Sequence, residues 1–137
     1  MSSKDKFKAH IDAGYVTKGD YITVGAAMHE GETVTDAYVK IPLKTLNRHG
    51  LIAGATGTGK TKTLQILAEN LSDKGIPVLL MDLKGDLSGI AQPSPGHAKI
   101  DERHEKIGLD YTAHNSPVEI MTISEQEGIR MRATVSE

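Results

Sequence analysis

The stretch Gly54-Ala55-Thr56-Gly57-Thr58-Gly59-Lys60-Thr61 constrains this chain more than any other. It fits Gly-x-x-x-x-Gly-Lys-Thr, the pattern of a phosphate-binding loop. Each residue type has a physical task there. Glycines permit positive φ, and they let backbone N–H groups converge with no Cβ between them. Such N–H groups at the start of a helix form a concave anion site, to which the helix dipole adds. Lys60 would place an ammonium between the β- and γ-phosphates of a nucleoside triphosphate. Thr61 would offer a hydroxyl to Mg²⁺, which keeps most of its other ligands as water and phosphate. The expected binding residues are Gly54, Ala55, Thr56, Gly57, Thr58, Gly59, Lys60, Thr61 and Lys62. Lys60 is the expected catalytic residue.

The alternative is a glycine-rich turn that binds nothing. Context argues against it, because the motif needs a strand before it and a helix after it. Leu51-Ile52-Ala53 is a short apolar run, consistent with a buried parallel strand. After the loop, Leu64, Leu67, Ala68 and Leu71 fall at i, i+3, i+4 and i+7, one face of a helix. Gly75 follows Lys74 and marks its stop. The run from Ile76 to Met81 reads as a second buried strand. Strand, loop, helix and strand make a βαβ unit, which is right-handed.

The rest of the chain carries weaker signals. Residues 1–20 are polar and mixed in charge, and read as a loose lead-in or a short first strand. Tyr21–Gly25 reads as a strand, Glu30–Thr33 as a turn, and Ala37–Leu43 as a second strand ending near Pro42. Residues 85–96 hold Gly89, Pro93, Pro95 and Gly96 and read as loop. Residues 99–107 are charged and read as a short surface helix. Val118–Ile123 and Ile129–Val135 alternate and read as strands. The expected fold class is α/β, an incomplete parallel sheet over residues 47–137 preceded by a small β-rich segment over residues 1–46.

Composition narrows the setting. A chain of 137 residues fits one domain. Its core must be aliphatic, with one Phe, four Tyr and no Trp. A net charge of −2 gives no global positive field to announce nucleic acid, though it leaves room for a local patch. There is no cysteine, so disulfides and cysteine metal sites are excluded. Met1 to Lys6 lead into no apolar run, and no stretch approaches the roughly 18 apolar residues of a membrane helix. A soluble, cytoplasmic setting is expected.

Two segments together point beyond a generic loop. His49-Gly50-Leu51-Ile52-Ala53-Gly54-Ala55-Thr56-Gly57-Thr58-Gly59-Lys60-Thr61 is followed, one helix later, by Val78-Leu79-Leu80-Met81-Asp82-Leu83-Lys84-Gly85-Asp86-Leu87-Ser88-Gly89. The pair resembles the HerA/FtsK-type P-loop ATPases, above all the bacterial HerA-helicase-like family that shares the HerA C-terminal ATPase domain. The resemblance is clearest over residues 45–92 and continues more weakly through Pro117–Glu119 and Ile129–Glu137. It implies a RecA-like ATPase core that binds ATP and Mg²⁺, and a ring-forming motor, typically hexameric, acting on DNA. Lys60 and Thr61 carry over as the phosphate lysine and the magnesium hydroxyl. Asp82 matches the aspartate that closes the strand after the P-loop helix. Family members are several-fold longer, and the resemblance implies a second acidic strand and an arginine finger that these residues do not supply. The chain is therefore expected to be the N-terminal part of a larger protein.

Other residues have two readings each. Asp82 could serve Mg²⁺ directly or through water, or it could be a strand-end acid that shapes the site. Asp86 could position a water or be an exposed turn acid. His97, His104 and His114 match no zinc spacing and read as surface histidines. Asp101-Glu102-Arg103-His104-Glu105-Lys106 reads as a solvated helix face, with Arg103 and Lys106 as lid residues in the alternative. Arg130 and Arg132 share one face of a strand and point to solvent, to DNA or to a neighbouring subunit. Three functions stand side by side: a DNA-motor ATPase, a non-catalytic nucleotide-binding module, and a small-molecule P-loop kinase. The kinase would need several lid arginines, and Arg103 stands alone between residue 82 and Arg130.

Overall fold

The computed structural model describes residues 2–123 and 127–132. Among these residues are three α-helices and two two-stranded sheets, an α/β arrangement. The helices are α1 (Ser3–Gly14), α2 (Lys60–Asp73) and α3 (Ala98–Ile107). The strands are β1 (Tyr21–His29), β2 (Glu32–Pro42), β3 (Met121–Thr122) and β4 (Ile129–Arg130).

The antiparallel hairpin β1–β2 is the largest sheet. Its connection is Glu30-Gly31, both with positive φ (51° and 83°), between the paired residues His29 and Glu32. A two-residue turn of that kind matches the right-handed twist of the strands. The ladder breaks between Thr23 and Gly25 and again between Ala26 and Met28. At the second break β2 carries extra residues around Asp36, whose φ is 64°. The hairpin interior is aliphatic, as the composition requires: Ile22, Val34 and Ala37 are buried.

The first 20 residues hold a helix, neither a loose lead-in nor a strand. The cause is local. Ser2 Oγ accepts from the Asp5 amide (3.1 Å), and Asp5 Oδ2 accepts from the Ser2 amide (2.8 Å), a reciprocal capping box. Lys8 and Asp12 pair one turn apart at 2.7 Å. Phe7, Ile11 and Tyr15 form a half-buried stripe, and Phe7 stacks on His29 with ring centroids 4.8 Å apart. The capping signature Ser-x-x-Asp was present in the sequence.

The two apolar runs that flank the loop are not strands here. Residues 51–53 and 76–81 join no ladder among the described residues. Leu51, Leu79 and Met81 are 88%, 78% and 82% exposed. A parallel strand needs bonded neighbours and cover on both faces, and no described segment lies beside these runs as a strand. The parallel contact that does form is short. Met121 pairs with Ile129 and Thr122 with Arg130, so the expected strands 118–123 and 129–135 shrink to β3 and β4. Residues 133–135 lie outside the described residues.

The surface helix expected at 99–107 is α3, and it is docked rather than free. Gly108 ends it with φ 70°. The Gly108 amide donates to His104 O and Glu105 O, and the Leu109 amide donates to His104 O, closing the helix carbonyls. From β2, Tyr38 Oη donates to Gly108 O (2.6 Å) and Thr35 Oγ1 donates to Lys106 O (3.2 Å). A Cβ on Gly108 would lie 2.5 Å from Thr35 Cγ2. Positive φ and this approach both demand glycine. Gly108→Ala is expected to cost roughly 1–2 kcal/mol for the left-handed backbone alone, and more if Thr35 cannot shift. Gly14 has open space around its Cα and no positive φ, so Gly14→Ala should leave stability unchanged or raise it by about 0.5 kcal/mol. Urea unfolding of the two variants beside the parent checks the contrast.

Candidate phosphate-binding site

The loop 54–59 is exposed and runs straight into α2. Gly57 (φ 80°) and Gly59 (φ 95°) have positive φ, and Gly59 is the residue that starts the helix. Gly54 is needed for space: a Cβ there would sit 2.5 Å from Thr58 Oγ1. The Ala55 carbonyl gathers the loop. It accepts from Thr58 Oγ1 (2.8 Å), from the Thr58 amide (3.4 Å) and from Lys60 Nζ (2.8 Å). Lys60 therefore folds back across the loop mouth. Among the described residues the amides of Gly57 and Gly59 have no partner in the chain, so they remain available to an anion. Thr63 turns its hydroxyl to Gly59 O (3.1 Å), a helix bond within the first turn. Lys62 Nζ donates to Gln65 Oε1 (2.8 Å).

The second half of the site is the turn from Asp82 to Leu87. One carboxylate organises it. Asp82 Oδ1 accepts from the amides of Lys84 (3.2 Å), Gly85 (2.7 Å) and Asp86 (3.2 Å), and Oδ2 accepts from the amide of Leu87 (2.9 Å). The Leu87 amide, followed by those of Gly85, Lys84 and Asp86, holds the Asp82 carboxyl below its ordinary value of 3.8. The same clamp puts the Leu87 side chain into the interior, where it is 6% exposed.

Asp86 is what the turn presents. Its Oδ2 lies 3.3 Å from Thr61 Oγ1, which donates to it. Its carbonyl accepts from Gln65 Nε2 at 3.1 Å. Gln65 is buried at 6% exposure, deeper than Leu64 at 36%. The buried face of α2 is thus rotated from the expected Leu64-Leu67-Ala68-Leu71 stripe toward Gln65 and Ala68. Sequence reasoning missed Gln65. Its spacing of four from Thr61 puts it on the same helix face, and that was the available signal.

Of the residues expected to serve the metal, Thr61 faces the site and touches Asp86. Asp82 is spent on four amides of its own turn, and no hydrogen bond joins it to Thr61 among the described residues. The histidines act singly. His97 Nδ1 accepts from the Lys99 amide at the start of α3. His104 donates to Leu109 O (3.0 Å) and lies against Tyr111. His114 sits 3.5 Å from Asp73. Among the described residues no group of three His, Cys, Asp or Glu side chains could hold a metal ion. Lys106 pairs with Glu102 (2.6 Å) on α3, and Arg130 and Arg132 are exposed.

The Asp82 clamp has a pH signature. A carboxyl held below its ordinary value stabilises the fold while it is charged, so the contribution is present above pH 3.8 and fades as pH falls through the lower folded-state value. The amide resonances of Lys84, Gly85, Asp86 and Leu87 are expected to titrate together in that acid range. Asp82→Asn should abolish the shared titration and speed hydrogen exchange at the four amides. Four independent titrations in the parent would contradict the clamp.

Comparisons with known proteins give the family. The family described as "Helicase HerA-like C-terminal" matches residues 27–137. The DNA double-strand break repair helicase HerA of Sulfolobus acidocaldarius is 31% identical over 94 residues, which is 69% of this chain and 18% of that protein. The chain thus spans under a fifth of the curated relative it matches. No solved structure matches it. Among the described residues no helix is long and apolar enough to cross a membrane. With the matching region covering the loop, α2 and the Asp82 turn, the chain belongs to the helicase HerA-like C-terminal family.

Proposed function

We propose that this chain forms the ATP-binding part of a HerA-like DNA translocase or helicase. One observation carries the reading: an exposed glycine loop, bare amides, Lys60 and the Thr61 hydroxyl converge at the start of α2. The positive-φ glycines and the free amides suit a triphosphate. A hydroxyl beside one carboxylate suits a hard cation that keeps several waters. Mg²⁺, when bound with the nucleotide, would neutralise charge on the phosphates. The chain's own residues do the rest. Gly57 and Gly59 offer amides to phosphate oxygens. Lys60 exchanges the Ala55 carbonyl for the β- and γ-phosphates. Thr61 would offer a hydroxyl lone pair to the metal. These groups stabilise the charge that develops when a positioned water attacks the γ-phosphate.

In this reading residues 1–46 are a small leading unit and residues 47–137 the first part of the ATPase domain. The working partners are DNA and further copies of the protein in a ring, in the cytoplasm. The relative's printed name, a DNA double-strand break repair helicase, supports the DNA assignment. A second reading, a module that binds nucleotide without hydrolysing it, is favoured for the 137 residues alone by one fact. The carboxylate of Asp82 is engaged by four backbone amides and held below its ordinary pKa, which makes it a weak base toward a water.

Calorimetry with Mg²⁺ and a non-hydrolysable ATP analogue tests the proposal. Saturable binding is expected, and Lys60→Ala should weaken it about 10-fold or more, the size of a charge-assisted contact. Turnover by the chain alone should stay far below about 1 per second, the low end of ordinary enzyme rates. A parent chain with no binding would remove the ATP assignment. Fast turnover would remove the second reading.

A further inference from the structure

We infer that Asp86 is the positioning residue for magnesium in this site, acting through the Thr61 hydroxyl. The inference rests on the ATP-binding reading above and adds to it a residue and a role. The chemistry begins with the hydroxyl itself. A threonine hydroxyl has one proton and two lone pairs. To face a cation it must turn a lone pair toward the metal and its proton away. That proton then needs an acceptor, or the rotor is not fixed. Asp86 Oδ2, 3.3 Å from Thr61 Oγ1, is the acceptor.

Asp86 is held for this task from three sides. Its amide donates to Asp82 Oδ1 (3.2 Å). Its carbonyl accepts from the buried Gln65 Nε2 (3.1 Å). Its side chain meets Thr61. Both main-chain contacts leave the carboxylate free of structural duty, so its second oxygen can take a metal-bound water. Gln65 and Thr61 are one turn apart on α2, so a single helix face fixes both partners. Partners of this kind set the orientation of a metal ligand, and their loss typically weakens metal binding by 10- to 100-fold.

The carboxylate also carries a charge beside a phosphate site. Without a cation it repels the triphosphate. With a cation it attracts the pair. A residue that only supported the fold would shift both affinities in the same direction. Loss of Asp86 should weaken only the binding measured with the cation and leave the other unchanged or tighter.

The experiment is calorimetry of the parent chain and Asp86→Asn with a non-hydrolysable ATP analogue, once in Mg²⁺ and once in EDTA. Asp86→Asn removes the charge and weakens the acceptor that faces Thr61 while both main-chain contacts stay in place, so its thermal unfolding should match the parent. The expected result is about 10-fold weaker binding in Mg²⁺ and unchanged or tighter binding in EDTA. Adding Asp86→Asn to Thr61→Ala should bring little further loss in Mg²⁺, because the two act as one unit. Equal weakening in both conditions, or full additivity with Thr61→Ala, overturns the inference and leaves the ATP reading standing. A parent chain that binds the analogue in neither condition overturns the ATP reading and the inference with it.

Discussion

The Asp82 carboxylate is the contact on which the site depends. It replaces a piece of regular structure. Four amides from Lys84 to Leu87 would otherwise point at solvent from an irregular turn, and one charged side chain gathers them. Charge-assisted bonds of this kind are stronger than neutral ones. The consequence is geometric. With the turn closed, Leu87 enters the interior, and Asp86 is delivered to Thr61. The loop and the turn are far apart in sequence, and this one carboxylate lets them meet as two halves of a site.

The hairpin plays a matching role for the helices. It contacts all three helices: β1 and β2 meet α1, β1 meets α2, and β2 meets α3. The means differ between α1 and α3. α1 is attached by a ring stack and a Ser3–His29 hydrogen bond (3.0 Å). α3 is attached at its carbonyl end by Tyr38 and Thr35, which satisfy groups that a helix terminus leaves open. The single Tyr38 hydroxyl proton is shared between Gly108 O (2.6 Å) and Asp36 Oδ1 (3.0 Å), and desolvation, then the bond to Asp36, push that hydroxyl above its ordinary pKa. Polar contacts carry much of this assembly because the buried aliphatic set is small, chiefly Ile22, Val34, Ala37, Ala68 and Leu87.

What the sequence told correctly was mostly local. The hairpin turn at Glu30-Gly31, the start of α2 at Lys60 and its stop before Gly75, and the helix over 99–107 are each set by residues within a turn or two of one another. The helix α1 was equally local, and Ser2 with Asp5 announced it; the charged composition of residues 1–20 hid the signal. Asp82 was legible as an acid at the end of an apolar run, and both of its readings were open. The four amides it accepts depend on the path of the turn, which no spacing rule gives. The Asp86–Thr61 contact spans 25 residues and was out of reach for the same reason.

The apolar runs at 51–53 and 76–81 show the opposite limit. Their composition says that they are suited to burial, and nothing in it says beside what. A helix closes its backbone hydrogen bonds within itself, so α2 needs its neighbours for packing of Gln65 and Ala68 and not for its ladder. A parallel strand does not, because every N–H and C=O must find another strand across a long connection. The loop between them falls on the helix side of that division. Its form comes from the Ala55 carbonyl, two positive-φ glycines and the first turn of α2, all within a few residues. The shape of the loop therefore rests on contacts within a few residues and does not wait for the ladder that the flanking runs were expected to build.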